Sequence, residues 1–154
     1  MAKLPDAVDQ KILVELQRDA RLTNQELSER VGLSATPCAR RIKNLEEAEI
    51  ITGYSANIDE AKLGYGFTVF VSVQLDSQID DRLINFEKEI NLLPEVMDCW
   101  LMTGNRDYLM RVAVADLIEF ERFLTGRLTK VEGVASIESS IPIRRVKGRM
   151  SRLV

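Results

Sequence analysis

Two short stretches hold the side chains best suited to recognition chemistry, and one residue type is missing. The first, SATPCARRIKNLEE at residues 34–47, places Arg40, Arg41 and Lys43 early in a run with helical spacing. A guanidinium can bond bidentately to guanine O6 and N7, worth about 1–3 kcal/mol of discrimination, whereas a lysine ammonium suits a phosphate. Arg40 and Arg41 are therefore the expected base readers and Lys43 the expected phosphate contact. The competing reading is an ordinary solvated face. The second stretch, TGNRDYLM at residues 103–110, contains Gly104 where a hairpin needs a positive φ. It is either a plain β-turn or a cradle in which Asp107 and the turn's N–H groups hold the charged ends of a small zwitterion. Histidine is absent from the 154 residues, which removes Ser-His-Asp and Cys-His catalysis and His-based metal sites. Asp, Glu, Tyr and Arg form no paired constellation in its place, so no catalytic residue, metal or cofactor is expected.

These side chains need elements to hold them. Val8, Ile12, Leu13 and Leu16 fall at i, i+4, i+5 and i+8, an apolar helical stripe that Asp19-Ala20-Arg21 ends. TNQE at 23–26 fits a capping box, with Leu27 and Val31 following on one face and Gly32 where a left-handed residue ends a helix. Thr23, Asn24 and Gln25 thus open a second helix whose free N–H groups suit a phosphate. In the third helix Cys38, Ile42 and Leu45 share the inward face, leaving Arg40, Arg41, Lys43 and Asn44 outward. Pro37 is best placed at the first helical position with Thr36 as cap; Ser34 is the alternative cap, with Pro37 third. Helix, short helix, Gly turn and basic helix make a helix-turn-helix, whose second member enters the major groove; Ser34, Thr36 and Pro37 join its DNA-facing start.

After Ile51 the apolar period changes from 3.6 to 2. ITGYSANIDEAKLGYG reads as a short strand and a Gly-punctuated connection, giving a winged-helix-like domain over 1–63 and a second domain over 64–154. The second opens with a strand that sets Phe67, Val69, Val71, Val73 and Leu75 on one face. A helix through Leu83, Phe86 and Ile90, two strands joined at Gly104-Asn105-Arg106, a helix through Leu117, Phe120, Leu124 and Leu128, and a strand near 134–143 complete the order βαββαβ. That is an α+β chain with a ferredoxin-like antiparallel sheet and both helices on one face. Phe70, Trp100 and Met102 would populate the other face, which a symmetric dimer of sheets would cover.

The net charge of −3 conceals its distribution: residues 56–141 hold 8 basic and 15 acidic side chains, residues 142–154 hold 5 and none. DNA contact must therefore be local. The basic end, IRRVKGRMSRLV, is read as a solvated tail, with a supplementary phosphate contact as the alternative. Cys38 and Cys99 form no CxxC pair; both are read as small core residues rather than redox sites. The opening MAKLPDAVDQ lacks a signal-peptide pattern and no run is long enough to span a bilayer, so a cytoplasmic protein is expected.

VDQKILVELQRDARLTNQELSERVGLSATPCARRIKNLEEAEII, followed by PEVMDCWLMTGNRDYLMRVAVADL, resembles the Lrp/AsnC family of feast/famine transcription regulators. The resemblance implies a DNA-binding helix-turn-helix, an effector and oligomerisation domain, dimers built on the sheets and often octamers. It also implies a small effector, usually an amino acid, held where dimers meet, near the turn from Thr103 to Tyr108. Carried over residue by residue, Leu101, Gly104, Asn105, Arg106, Asp107, Leu117, Ser140 and Ile141 join that site. Asn105-Arg106 departs from the family's usual acidic residue there. A tetrapyrrole-decarboxylating branch uses histidine, which this chain lacks.

Overall fold

The computed structural model describes residues 4–148, which divide between Asn57 and Ile58 into two units. The first is helical: α1 (Ala7–Arg18), α2 (Asn24–Val31) and α3 (Ala35–Glu47). Ile12, Leu13, Leu27, Val31, Cys38 and Leu45 are buried together, with Val8, Leu16 and Ile42 packed around them. Each such aliphatic side chain contributes about 1.5–3 kcal/mol by leaving water. Thr23 caps α2 as its sequence requires: its Oγ1 accepts the Glu26 N–H at 3.2 Å, and Glu26 accepts the Thr23 N–H at 2.8 Å. Gly32 ends the helix at φ 74°, the left-handed region.

Three expectations for this unit change. The N-cap of α3 is Ser34, without a side-chain cap bond, so Pro37 is the third helical residue rather than the first. The first three helical N–H groups lack intrahelical partners, and the helix's first i→i−4 bond runs from Cys38 to Ser34 at 3.2 Å, so the proline sacrifices nothing. No strand forms over residues 52–57; the segment carries no sheet partner, and its β-like spacing is too short to pair alone. Arg41 is not an open outward side chain, for reasons given below.

The second unit carries β1 (Phe67–Leu75), α4 (Asp80–Asn91), β2 (Val96–Leu101), β3 (Tyr108–Val114), α5 (Leu117–Gly126) and β4 (Val134–Ser140). A 3₁₀ turn over Glu60–Leu63 precedes β1. The sheet is antiparallel in the order β2-β3-β1-β4, the ferredoxin-like arrangement. Val69, Val71, Val73 and Leu75 meet Tyr108, Met110, Val112, Phe86, Ile90, Phe120 and Phe123 in one core, so both helices cover the same face. The period-2 pattern of β1 forces this: one face must be buried and the alternate residues must not.

On the uncovered face, Phe70 lies opposite Arg111 and Ser140, and Trp100 opposite Leu109. Trp100 is 46% exposed. Arg111 donates to both oxygens of Glu60 and to Asp98, which ties the 3₁₀ turn to this face and lifts the guanidinium pKa, the Glu60 bond contributing most. Some expectations shift here too. Cys99 is exposed, because β2 is an edge strand, although loss of hydration and then Glu87 push its thiol up to about 11. Leu117 stands 59% exposed at the first turn of α5, where Phe123 supplies the inward stripe instead, and Leu128 is buried from a following 3₁₀ turn. β4 ends at Ser140, short of 143. Residues 142–148 of the basic end form no helix or strand, and its residues 149–154 lie outside the described ones. Among the described residues no helix is long and apolar enough to cross a membrane.

Candidate functional site

Helix α3 presents an exposed stripe of Thr36, Arg40 and Lys43, spaced i, i+4 and i+7. Among the described residues Arg40 has no hydrogen-bond or ion-pair partner. Lys43 lies 3.5 Å from Glu47, an exposed pair that surrenders its cation at little cost. Arg41 differs sharply. Its Nη1 donates to Asp6 Oδ2 at 2.8 Å and to Asp9 Oδ1 at 2.7 Å, and its side chain is 32% exposed. These bonds, Asp9's first, raise the guanidinium pKa. Asp6 is held down at about 2, first by the Asp9 N–H and then by Arg41.

At the start of α2, Thr23 Oγ1 donates to Glu26 at 2.8 Å while capping, so its hydroxyl is committed to the helix end. Gln25 donates to Glu29 at 2.8 Å. Asn24 is exposed. A concave surface of about 320 Å³ runs beside this end, between Leu16, Leu22, Asn24, Ile42, Lys43 and Tyr54. Tyr54, which sequence spacing did not single out, donates to Glu46 at 2.9 Å; burial, then Glu46, pushes its phenol up to about 12.

The hairpin loop between β2 and β3 is held from two sides. Asp107 is 5% exposed, and its carboxylate accepts the Leu75 N–H at 2.7 Å and the Gln78 side-chain amide. Arg106 reaches across β1 to β4, donating to Ser136 at 2.6 Å and to Glu138 at 2.9 Å. What the loop offers outward is Leu101, Thr103, Gly104 and Asn105, all exposed. Gly104 has φ 118°, a conformation that side chains rarely adopt. Tyr108 is buried and donates to Glu87 at 2.9 Å; burial first, then Glu87, raises its phenol pKa well above the usual value.

The register separates the remaining candidates from this loop. Asp107 bonds at the Val73 to Leu75 end of β1, whereas Ser140 pairs with Phe70 and β3 runs toward Leu117 from its Val114 pairing with Phe67. At ~3.3 Å per residue, Ser140, Ile141 and Leu117 lie roughly 10 Å or more from the loop along the sheet. One chain therefore does not gather these candidates into one pocket; they lie in two groups.

The missed partners, Asp6, Asp9, Gln78, Ser136 and Glu138, share a feature. Each meets its functional residue across 29 or more positions of sequence. A local signal existed only for Asp6 and Asp9, whose D-x-x-D spacing before an apolar stripe is a capping-box pattern.

A helix-turn-helix with a free arginine on its recognition helix, followed by a ferredoxin-like domain with a rigid polar loop, defines a DNA-binding regulator of transcription. Residues 5–52 match the family model described as winged helix-turn-helix DNA-binding, and residues 68–152 match the Lrp/AsnC ligand binding domain. The chain belongs to the Lrp/AsnC family. It is similar to the Bkd operon transcriptional regulator of Pseudomonas aeruginosa, 47% identical over 95% of each chain. It is also similar to the leucine-responsive regulatory protein of Rhizobium meliloti, 42% identical over 92% of this chain and 91% of that one. Among solved structures, a transcriptional regulator from Neisseria meningitidis in complex with L-Met superposes with a TM-score of 0.91 at 37% identity, covering 96% of this chain and 95% of that one.

Proposed function

We propose that this protein is a sequence-specific, cytoplasmic regulator that works as a dimer or an octamer of four dimers, and whose hold on DNA responds to an amino acid. The observation that carries the DNA reading is the unpartnered Arg40 between Thr36 and Lys43 on the exposed stripe of α3. Arg40 reads a base edge, Thr36 and Ser34 meet the groove at the helix start beside Pro37, and Lys43 and the α2 opening at Thr23, Asn24 and Gln25 meet phosphate. Two such helices in a dimer address half-sites one helical turn, or a multiple, apart.

The sheet face with exposed Trp100 and half-buried Phe70 favours pairing of two sheets. The effector reading rests on the two groups. The loop of one chain, with Thr103, Gly104 and Asn105 outward and Arg106, Asp107 and Tyr108 bracing it, needs Leu117, Ser140 or Ile141 from another copy to complete a pocket. A ligand at such a junction shifts DNA affinity only through unequal binding to competing assemblies. Catalysis is not part of this reading.

Selection of duplexes from a random library by the full chain, with and without each of the twenty amino acids, tests it. A motif with two half-sites, and a change in its affinity with at least one amino acid, is the expected result. Retention without any enriched motif would overturn sequence-specific regulation. An amino acid that raises the melting temperature while no duplex is retained would favour a sensing module without DNA function.

A further inference from the structure

We infer that Arg41 is a positioning residue: it locks the recognition helix α3 onto the N-terminal cap of α1, leaving base reading to Arg40. The consequence for DNA rests on the reading above; the lock itself does not.

The geometry is a closed set of bonds. Asp6 Oδ1 caps α1, accepting the Val8 and Asp9 N–H groups at 2.9 Å each. Asp9 Oδ2 accepts the Asp6 N–H at 3.2 Å. The two oxygens left over, Asp6 Oδ2 and Asp9 Oδ1, both accept from Arg41 Nη1. All four carboxylate oxygens of the box thus have a donor, and one nitrogen of Arg41 bridges the two residues. Arg41 could reach a base only by leaving both carboxylates, whose paired negative charge would then sit beside the phosphates.

Helix α3 has reason to need such a lock. Its cap Ser34 makes no side-chain bond. The Arg41 bridge supplies a tertiary hold across 35 and 32 residues, at the position next to Arg40. A displacement of the helix start by a fraction of a turn would redirect Arg40 and Thr36 together, so loss of the lock weakens every duplex and blurs the preference that Arg40 sets.

Two measurements test this. In the DNA-free full chain, urea unfolding of Arg41→Ala, Asp9→Asn and the double variant forms a thermodynamic cycle. The expected result is that the double variant unfolds at nearly the same midpoint as either single one; additive losses would overturn the lock. For DNA, the probes are the selected duplex and a random duplex of the same length. Arg41→Ala should weaken both, the selected duplex more because Arg40 is no longer aimed, and leave the slope of log K against log salt unchanged. Arg41→Lys should hold both affinities within roughly threefold, since one nitrogen makes both bonds and an ammonium can replace it. Loss of preference at a base-pair position that Arg40→Ala leaves intact, a slope smaller by about one, or failure of lysine to substitute would make Arg41 a DNA contact instead. If wild-type protein holds neither duplex, the DNA-binding reading fails while the unfolding cycle still decides the lock.

Discussion

The carboxylate of Asp107 accepts the backbone N–H of Leu75 at 2.7 Å, joining the end of the hairpin loop to the end of β1 inside the fold. The same carboxylate takes the Gln78 amide, so the residue expected to hold a ligand's ammonium already has donors on both oxygens. Asp107→Ala would strand a buried N–H and should cost about 1–3 kcal/mol in urea unfolding. Asp107→Asn keeps an acceptor for Leu75, and Gln78 can turn its amide to present oxygen, so the loss should be much smaller. The effector response, read as the amino-acid dependence of DNA affinity, should survive in Asp107→Asn. A stable but unresponsive Asp107→Asn would return the carboxylate to the ligand.

Gly104 tests the outward side of the same loop. A Cβ there would meet no atom within 4 Å, so crowding is not the issue, but φ 118° disfavours any side chain. Gly104→Ala should cost about 1–3 kcal/mol of local strain or shift the loop backbone to relieve it. The sheet core is untouched, so urea unfolding should stay cooperative while effector affinity, measured by calorimetry, falls. Unaltered affinity would place the ligand away from the loop's exposed backbone.

Sequence spacing revealed most of this architecture wherever the deciding interaction is local. The Thr23 and Glu26 box, the Gly32 stop, the inward Cys38 and Leu45, and the alternation of β1 each depend on neighbours within a few positions. The pairing of Arg41 was not legible because helical period alone puts it beside Arg40, and only the folded chain brings Asp6 and Asp9 to it. Cys99 was misjudged because alternation says which face a residue takes, not whether its strand is an edge. For the effector candidates, sequence order hid the register that sets Ser140 apart from the loop.

Tyr108 should give the fold an alkaline limit. Burial and then Glu87 raise its phenol above the ordinary value of 10.0, with Cys99 and Asp107 adding smaller contributions of the same sign. The folded chain therefore keeps a proton that the unfolded chain releases, and stability falls as pH rises past about 10 toward the folded value. Below pH 10 the contribution is fully present. Tyr108→Phe should remove that part of the slope, with Tyr54, held up at about 12, Cys99, at about 11, and the raised Cys38 thiol retaining the rest. At neutral pH its cost should be about 1 kcal/mol or less, since Glu87 is exposed and regains water. Urea midpoints from pH 7 to 11 check both points; an unchanged slope in Tyr108→Phe would contradict the assignment.

Arg40 and Lys43 share a stripe on α3 but should fail differently. Among the described residues Arg40 has no partner to give up, so its guanidinium is free for a bidentate contact to a base edge. Arg40→Ala should therefore lose about 1–3 kcal/mol at one base-pair position of each half-site and relax preference there. Lys43 leaves only a 3.5 Å surface pairing with Glu47 when it meets DNA, and an ammonium carries no base code. Lys43→Ala should weaken every duplex by a similar factor and lower the salt slope by about one, because one fewer phosphate is neutralised. Repeating the duplex selection for each variant at two salt concentrations separates the roles. An unchanged motif in Arg40→Ala would remove the base reader from this helix, and with it the reason for the cation to stand unpaired.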